Sequence, residues 1–153
     1  MLKISLRTNI INTVFEDKKG NILIGSESGL YLAKENNEKV YKIDLFEMES
    51  VPIRNLHYVN NNLFVATSFG IFLFENYQDP LTPFNKLRLN KNASKFITSD
   101  TVGHIWSATN KGIDEYKLTK NKELKLIKNY QSDMKNLHSL SSNFIRSLLI
   151  DKT

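Results

Sequence analysis

The sequence has no cysteine, only three prolines and one tryptophan, and no apolar run long enough to cross a bilayer. The first absence excludes disulfides and thiolate-held metals. It leaves the compartment open, because many exported proteins also lack cysteine. A transmembrane helix needs about 18–20 consecutive apolar residues, so none is expected in this stretch of chain. The opening residues MLKISLRTN carry Lys3 and Arg7 and no apolar core, so no signal peptide is legible. Catalytic signatures are missing too. There is no Walker loop, no G-x-G-x-x-G, no H-E-x-x-H and no G-x-S-x-G, and the serine-rich run 139–142 has neither an elbow context nor a paired base.

What remains is an ordinary globular composition. Of 153 residues, 41% are hydrophobic and 24% charged, enough for one domain. The formal charge is +5. Lysines are dense between Lys111 and Lys135, but Asp114, Glu115, Glu123 and Asp133 interrupt them. That pattern reads as a solvated face rather than a stripe for nucleic acid or an anionic glycan, and no nucleic-acid partner is expected.

The chain repeats itself. The stretches 12–35, 54–76 and 95–118 align, and the glycine after the second apolar run falls at Gly29, Gly70 and Gly112. A step of about 40 residues marks stacked supersecondary units. Each unit reads as four short strands. The first carries Ile11 and Val14 and ends at Asp17, with Ile53 and Leu56, then Ile97 and Asp100, as counterparts; Ile145, Leu148 and Asp151 open a fourth unit. A tight turn follows, DKKGN (17–21) or DTVGH (100–104), with Gly20 and Gly103 at a position that calls for positive φ. VNNNL (59–63) replaces it in the second unit, where Asn tolerates the left-handed region next best.

The second strands, ILIG (22–25), LFVA (63–66) and IWSA (105–108), are nearly continuous in apolar character, as strands buried on both faces are. Each closes on a small residue, Gly25, Ala66 or Ala108, which predicts close approach of chains there. The next turn begins with Ser or Thr and ends with Gly, leading into third strands at 30–33, 71–74 and 113–116. The fourth strands, 40–45, 85–90 and 124–130, are irregular, as outermost edges are. Four strands per unit joined by hairpins is the arithmetic of propeller blades. The expected fold is all-β: an incomplete β-propeller over 1–153, with antiparallel blades at 9–45, 52–90 and 93–130 and the first strand of another at 143–153.

EDKKGNILIGSESGLYL (16–32) resembles the two-component regulator propeller repeat, roughly D-x-x-G-N-I-W-I-G-T-x-x-G-L. HIWSATNKGI (104–113) resembles the same block, with Trp106 at the tryptophan position, and SLSSNFIRSLLID (139–151) resembles the segment that opens a blade. The middle block is degenerate, lacking both the Asp-x-x-Gly turn and the tryptophan. The resemblance implies the periplasmic sensor region of a hybrid histidine kinase acting in a phosphorelay, with an oligosaccharide or other small ligand. It implies a larger parent with propellers of about seven blades, a connector, a membrane helix and homodimerisation. This segment would itself be non-catalytic, without cofactor or metal, and as three blades with wet ends it would be marginally folded or self-associating. A propeller-type lyase or hydrolase, and a protein–protein scaffold, are the alternatives.

Structural duties account for the other candidate residues. His57, His104 and His138 fall in different parts of the repeat, which disfavours a shared metal site. Asp17, Asp100 and Asp151 recur at one position, and capping the turn that follows explains them better than a ring of acids. Leu23, Phe64 and Trp106 share a slot that reads as a buried packing anchor rather than a sugar platform. No ligand-binding residue is singled out by the sequence.

Overall fold

A computed structural model describes residues 10–34, 39–45, 50–78 and 85–151. The described residues form twelve strands and no helix. β1 (Ile11–Glu16), β2 (Ile22–Ser26), β3 (Gly29–Ala33) and β4 (Val40–Ile43) make the first antiparallel sheet, paired in sequence order. β5 (Ile53–Val59), β6 (Asn62–Thr67), β7 (Gly70–Phe74) and β8 (Lys86–Arg88) make the second. β9 (Phe96–Ser99), β10 (His104–Thr109), β11 (Gly112–Leu118) and β12 (Leu124–Tyr130) make the third. The sheets fan out from their first strands: β1 packs on β5, and β5 on β9. These are three blades of an unclosed propeller, as the repeat predicts.

Residues 143–151, expected to open a fourth blade, form no strand. A strand requires a ladder, and among the described residues no strand pairs with this segment as β2, β6 and β10 pair with β1, β5 and β9. Leu148, Leu149 and Ile150 nonetheless line the same concavity as residues of β5 and β9. Residue 9 and residues 152–153, at the edges of the expected blades, lie outside the described residues, as does the whole MLKISLRTN opening.

Local chemistry sets the turns. In the first turn of blades one and three, φ is +77° at Gly20 and +90° at Gly103; in blade two, Asn60 and Asn61 take φ of 48° and 61° and close a two-residue hairpin. In the second turn a hydroxyl repeats one job three times. Ser26, Thr67 and Thr109 each donate to the carbonyl of the following glycine, at 3.0, 2.8 and 3.2 Å. The same oxygens accept the backbone N–H of Ser28, Phe69 and Lys111. The close approach expected at Gly25 is present: a Cβ there would sit 2.5 Å from Thr13 and 2.6 Å from Ile53 of the next blade.

The core is two seams. Between blades one and two lie Leu23, Leu30, Leu32, Leu63, Val65, Phe72 and Phe74. Between blades two and three lie Phe64, Ala66, Ile71, Leu73, Ile97, Ile105 and Tyr116. Strand alternation sends Leu63 and Val65 one way and Phe64 and Ala66 the other, so β6 serves both seams.

Candidate functional site

Two concavities open on the rim that carries the first turn of each blade. The larger, about 640 Å³, lies between β5 and β9 and is lined by His57, Tyr58, Asn60, Ser99, Asp100 and Thr101 among others. Its central polar contact crosses the seam: His57 Nε2 lies 2.8 Å from Ser99 Oγ. Burial holds the His57 imidazole below its ordinary pKa, so the ring is neutral at pH 7. Among the described residues no carboxylate is hydrogen-bonded to His57. The pair is a hydrogen-bonded contact between blades two and three.

Asp100 lines the same groove, but its oxygens are committed. Oδ1 accepts the Val102 and His104 N–H groups at 3.1 and 2.9 Å, and Oδ2 accepts Trp106 Nε1 at 2.9 Å. Those hydrogen bonds and the nearby His104 outweigh the effect of desolvation and hold its carboxyl below the usual range. Asp17 repeats the geometry, accepting Lys19 N at 2.8 Å and Asn21 N at 2.9 Å. The recurrent aspartate is a turn cap at both positions. Asp151 is exposed.

The smaller pocket, about 220 Å³, lies between β1 and β5 and is lined by Phe15, Asp17, Lys18, Tyr58, Asn61 and Tyr77. Its aromatic rings are mutually packed. Phe15 and Tyr58 are 5.9 Å apart, and Tyr58 meets Tyr77 edge-on at 6.2 Å. Tyr77 donates to Asp17 Oδ2 at 3.3 Å, and Lys18 Nζ lies 5.3 Å from the Tyr58 ring centre. Aromatic faces beside a carboxylate, an amide and an ammonium can stack a sugar ring and hydrogen-bond its hydroxyls. The sequence reading did not single out these residues. Phe15, Tyr58 and Tyr77 belong to two blades and meet only when the blades pack.

Two expectations need correction. His104 is the first residue of β10 rather than a turn residue, and its Nδ1 lies 2.8 Å from Glu115 Oε1 and 3.7 Å from Asp100 Oδ2. Trp106 is half-buried, unlike Leu23 and Phe64 in the same slot, because no sheet covers that face of blade three among the described residues. It stacks on Tyr130 at 5.6 Å, and Tyr130 donates to Glu115 Oε2 at 2.8 Å. His138 lies in the exposed segment after β12, apart from both other histidines. Among the described residues no three such side chains converge on a metal-binding point.

Three four-stranded blades around a shared hub define a β-propeller segment. Residues 5–28 match the family model described as two component regulator propeller, and the resemblance seen in the repeat is upheld there. The fold is similar to the extracellular domain of BT4673 from B. thetaiotaomicron, described as a hybrid two component system: TM-score 0.79 at 19% identity, over 98% of this chain and 20% of that one. It is also similar to the extracellular domain of BT3049 from the same organism, likewise so described: TM-score 0.63 at 19% identity, over 82% and 17%. The N-terminal domain of Nup159 shares the fold more distantly, at TM-score 0.52 and 14% identity over 88% and 34%. No curated protein matches the chain in sequence. The chain thus spans about a fifth of the length of the two B. thetaiotaomicron domains.

Proposed function

We propose that this chain is a non-catalytic, extracytoplasmic part of a hybrid two-component sensor histidine kinase, placed in the periplasm and responsive to a glycan. The observation that carries the reading is the match of residues 5–28 to the two component regulator propeller model. The likeness of the whole fold to two extracellular domains of systems so described supports it. The Phe15–Tyr58–Tyr77 pocket supports a saccharide as ligand, because its rings and polar groups are the kind that hold a sugar. The remaining blades and a connector of the parent, and its homodimerisation, belong to the same proposal. No helix among the described residues is long and apolar enough to cross a membrane, so the membrane segment would lie elsewhere in the parent.

The test is genetic and direct. Reading the frame that adjoins this segment in its genome should give further blades, a membrane helix and a kinase. Deleting residues 10–130 from that frame should abolish transcription induced by an oligosaccharide mixture. Induction that survives the deletion, or a frame without kinase, would sink the reading.

A further inference from the structure

The opposite rim, which carries the second turn of each blade, holds a groove of about 670 Å³ lined by Asn12, Arg54, Ser68, Lys95, Asn110 and Arg146, with Ala93 and Ser94. Register explains how residues so far apart in sequence meet. The β1–β2 pairing shifts between Ile11 and Thr13, and the β5–β6 pairing shifts between Ile53 and Asn55. Asn12 and Arg54 are therefore the extra residues of two equivalent bulges, a device that re-aims a side chain. Lys95 holds the same place in blade three: Phe96 pairs with Ala108 as Thr13 pairs with Gly25, and Lys95 N donates to Ala108 O at 2.8 Å. Arg146 follows Ile145 as Asn12 follows Ile11 and Arg54 follows Ile53. One position in the repeat thus reads Asn, Arg, Lys, Arg, and the fan gathers all four at one mouth of the hub.

The charge there is only partly compensated. Glu27 pairs with Arg54 Nη1 and also accepts Asn12 Nδ2 at 2.9 Å, while Arg54 Nε donates to Ser68 Oγ at 3.0 Å. These contacts fix the guanidinium plane without using Nη2. Lys95 and Arg146 flank Phe144, their charged ends 3.8 and 5.5 Å from its ring centre, a contact that leaves their charge in place. Glu27 is the one carboxylate in contact with the lining cations among the described residues, so three cations face one anion. A guanidinium held in plane, two further cations and neighbouring amide and hydroxyl donors are the chemistry of oxyanion recognition.

We infer that this rim is a binding site for an oxyanion, a carboxylate or sulfate carried by a small ligand, assembled from the same bulge position of successive blades. The inference rests on strand register and charge, independently of the sensor reading, so either can fail alone.

The test is calorimetric titration of the chain with tetragalacturonic acid at low ionic strength. Neutral galactotetraose serves as one control. Sodium sulfate, compared with sodium chloride at equal ionic strength, distinguishes a bare oxyanion from one presented on a sugar. Binding of the acid and not the neutral sugar is expected, weakening as salt rises. Arg54→Gln, Lys95→Gln and Arg146→Gln should each weaken it by about tenfold or more. Lys125→Gln, exposed on the edge strand β12 and apart from both pockets, should leave it unchanged. Arg54 has structural partners, so the exposed Arg146 provides the variant least able to act through folding, with circular dichroism as a check. Displacement by sulfate beyond that by chloride supports the site as an oxyanion hole in its own right. Equal affinity for the neutral sugar, no binding of either, or an Arg146→Gln variant that binds like wild type would overturn it.

Discussion

Blade two and blade three share a repeat yet sit in different surroundings. β6 and β7 of the middle blade are buried almost throughout. β10, the counterpart of β6, alternates at its start: His104 and Trp106 half-buried, Ile105 and Ser107 buried. β2 of blade one alternates in the opposite phase, with Ile22 and Ile24 half-buried and Leu23 and Gly25 buried, because its uncovered face is the other one. The middle blade has a sheet on each face, whereas each outer blade has one face with no sheet against it among the described residues. Leu23 and Phe64 are 0% and 2% exposed because each lies in a seam, and Trp106 differs because its slot faces outward. Burial in a repeat protein is thus a property of the neighbour, and stability is carried by interfaces between units.

The comparison is broken most forcefully in that shared slot. Phe64→Ala empties a fully enclosed site and is expected to cost about 3–5 kcal/mol, whereas Trp106→Ala, on the half-open face, should cost about half as much or less. Urea denaturation of both variants measures this. Equal losses would mean that the outer face of blade three is covered in solution, by another blade or another copy of the chain.

A sharper contrast comes from two equivalent glycines. Gly29 and Gly70 open the third strands with φ of 138° and 133°, so alanine is similarly strained at both. The surroundings differ: a Cβ at Gly70 would lie 2.1 Å from the backbone oxygen of Asn90, but at Gly29 its nearest neighbour is the mobile end of Lys42 at 3.2 Å. Gly29→Ala should cost about 1–2 kcal/mol, the range for backbone strain alone. Gly70→Ala should cost about 3 kcal/mol or more, because backbone must move as well. Similar values would show that the chain after β8 yields freely. Gly112 meets Tyr130 O at 2.1 Å and should follow Gly70.

Much of this was legible in the sequence because it is local. A hydroxyl three residues before a glycine, an aspartate at the head of a tight turn, and asparagines replacing Asp-x-x-Gly each act within a few residues, and each acts as read. The edge strands drifted as expected, from three residues in β8 to seven in β12. What was hidden is what joins blades. His57 and Ser99, or Phe15, Tyr58 and Tyr77, have no sequence relation except through packing. The basic rim was missed for another reason: a search for clustered lysines finds the solvated 111–135 stretch, whereas Arg54, Lys95 and Arg146 are a cluster only at the period of the blade. Ser107 and Asp114 illustrate a third limit. They pair across β10 and β11 at the positions held in β6 and β7 by Val65 and Phe72, so the second seam contains polar groups where the first has none. Asp114 is satisfied by Tyr116, whose hydroxyl donates at 2.8 Å and whose pKa is pushed up to about 12 by burial and then by that carboxylate.

The polar character of the second seam makes it the one that responds to pH. His57 is partly buried there with its pKa below 6.5, the shift arising from desolvation. The unfolded chain restores the ordinary value, so between the two pKa values the unfolded state binds more protons than the folded one. The seam is then fully stable above about pH 6.5 and loses stability as pH falls through 6.5 toward the folded pKa. His57→Gln keeps a side chain able to bond Ser99 Oγ and cannot titrate. Between pH 7 and pH 5 the wild-type chain should lose more of its urea midpoint than this variant does. The difference should be the smallest of the three effects, since one partly buried imidazole is involved. Identical losses would mean that His57 is solvated in both states, and that blades two and three are joined at that point by apolar contact alone.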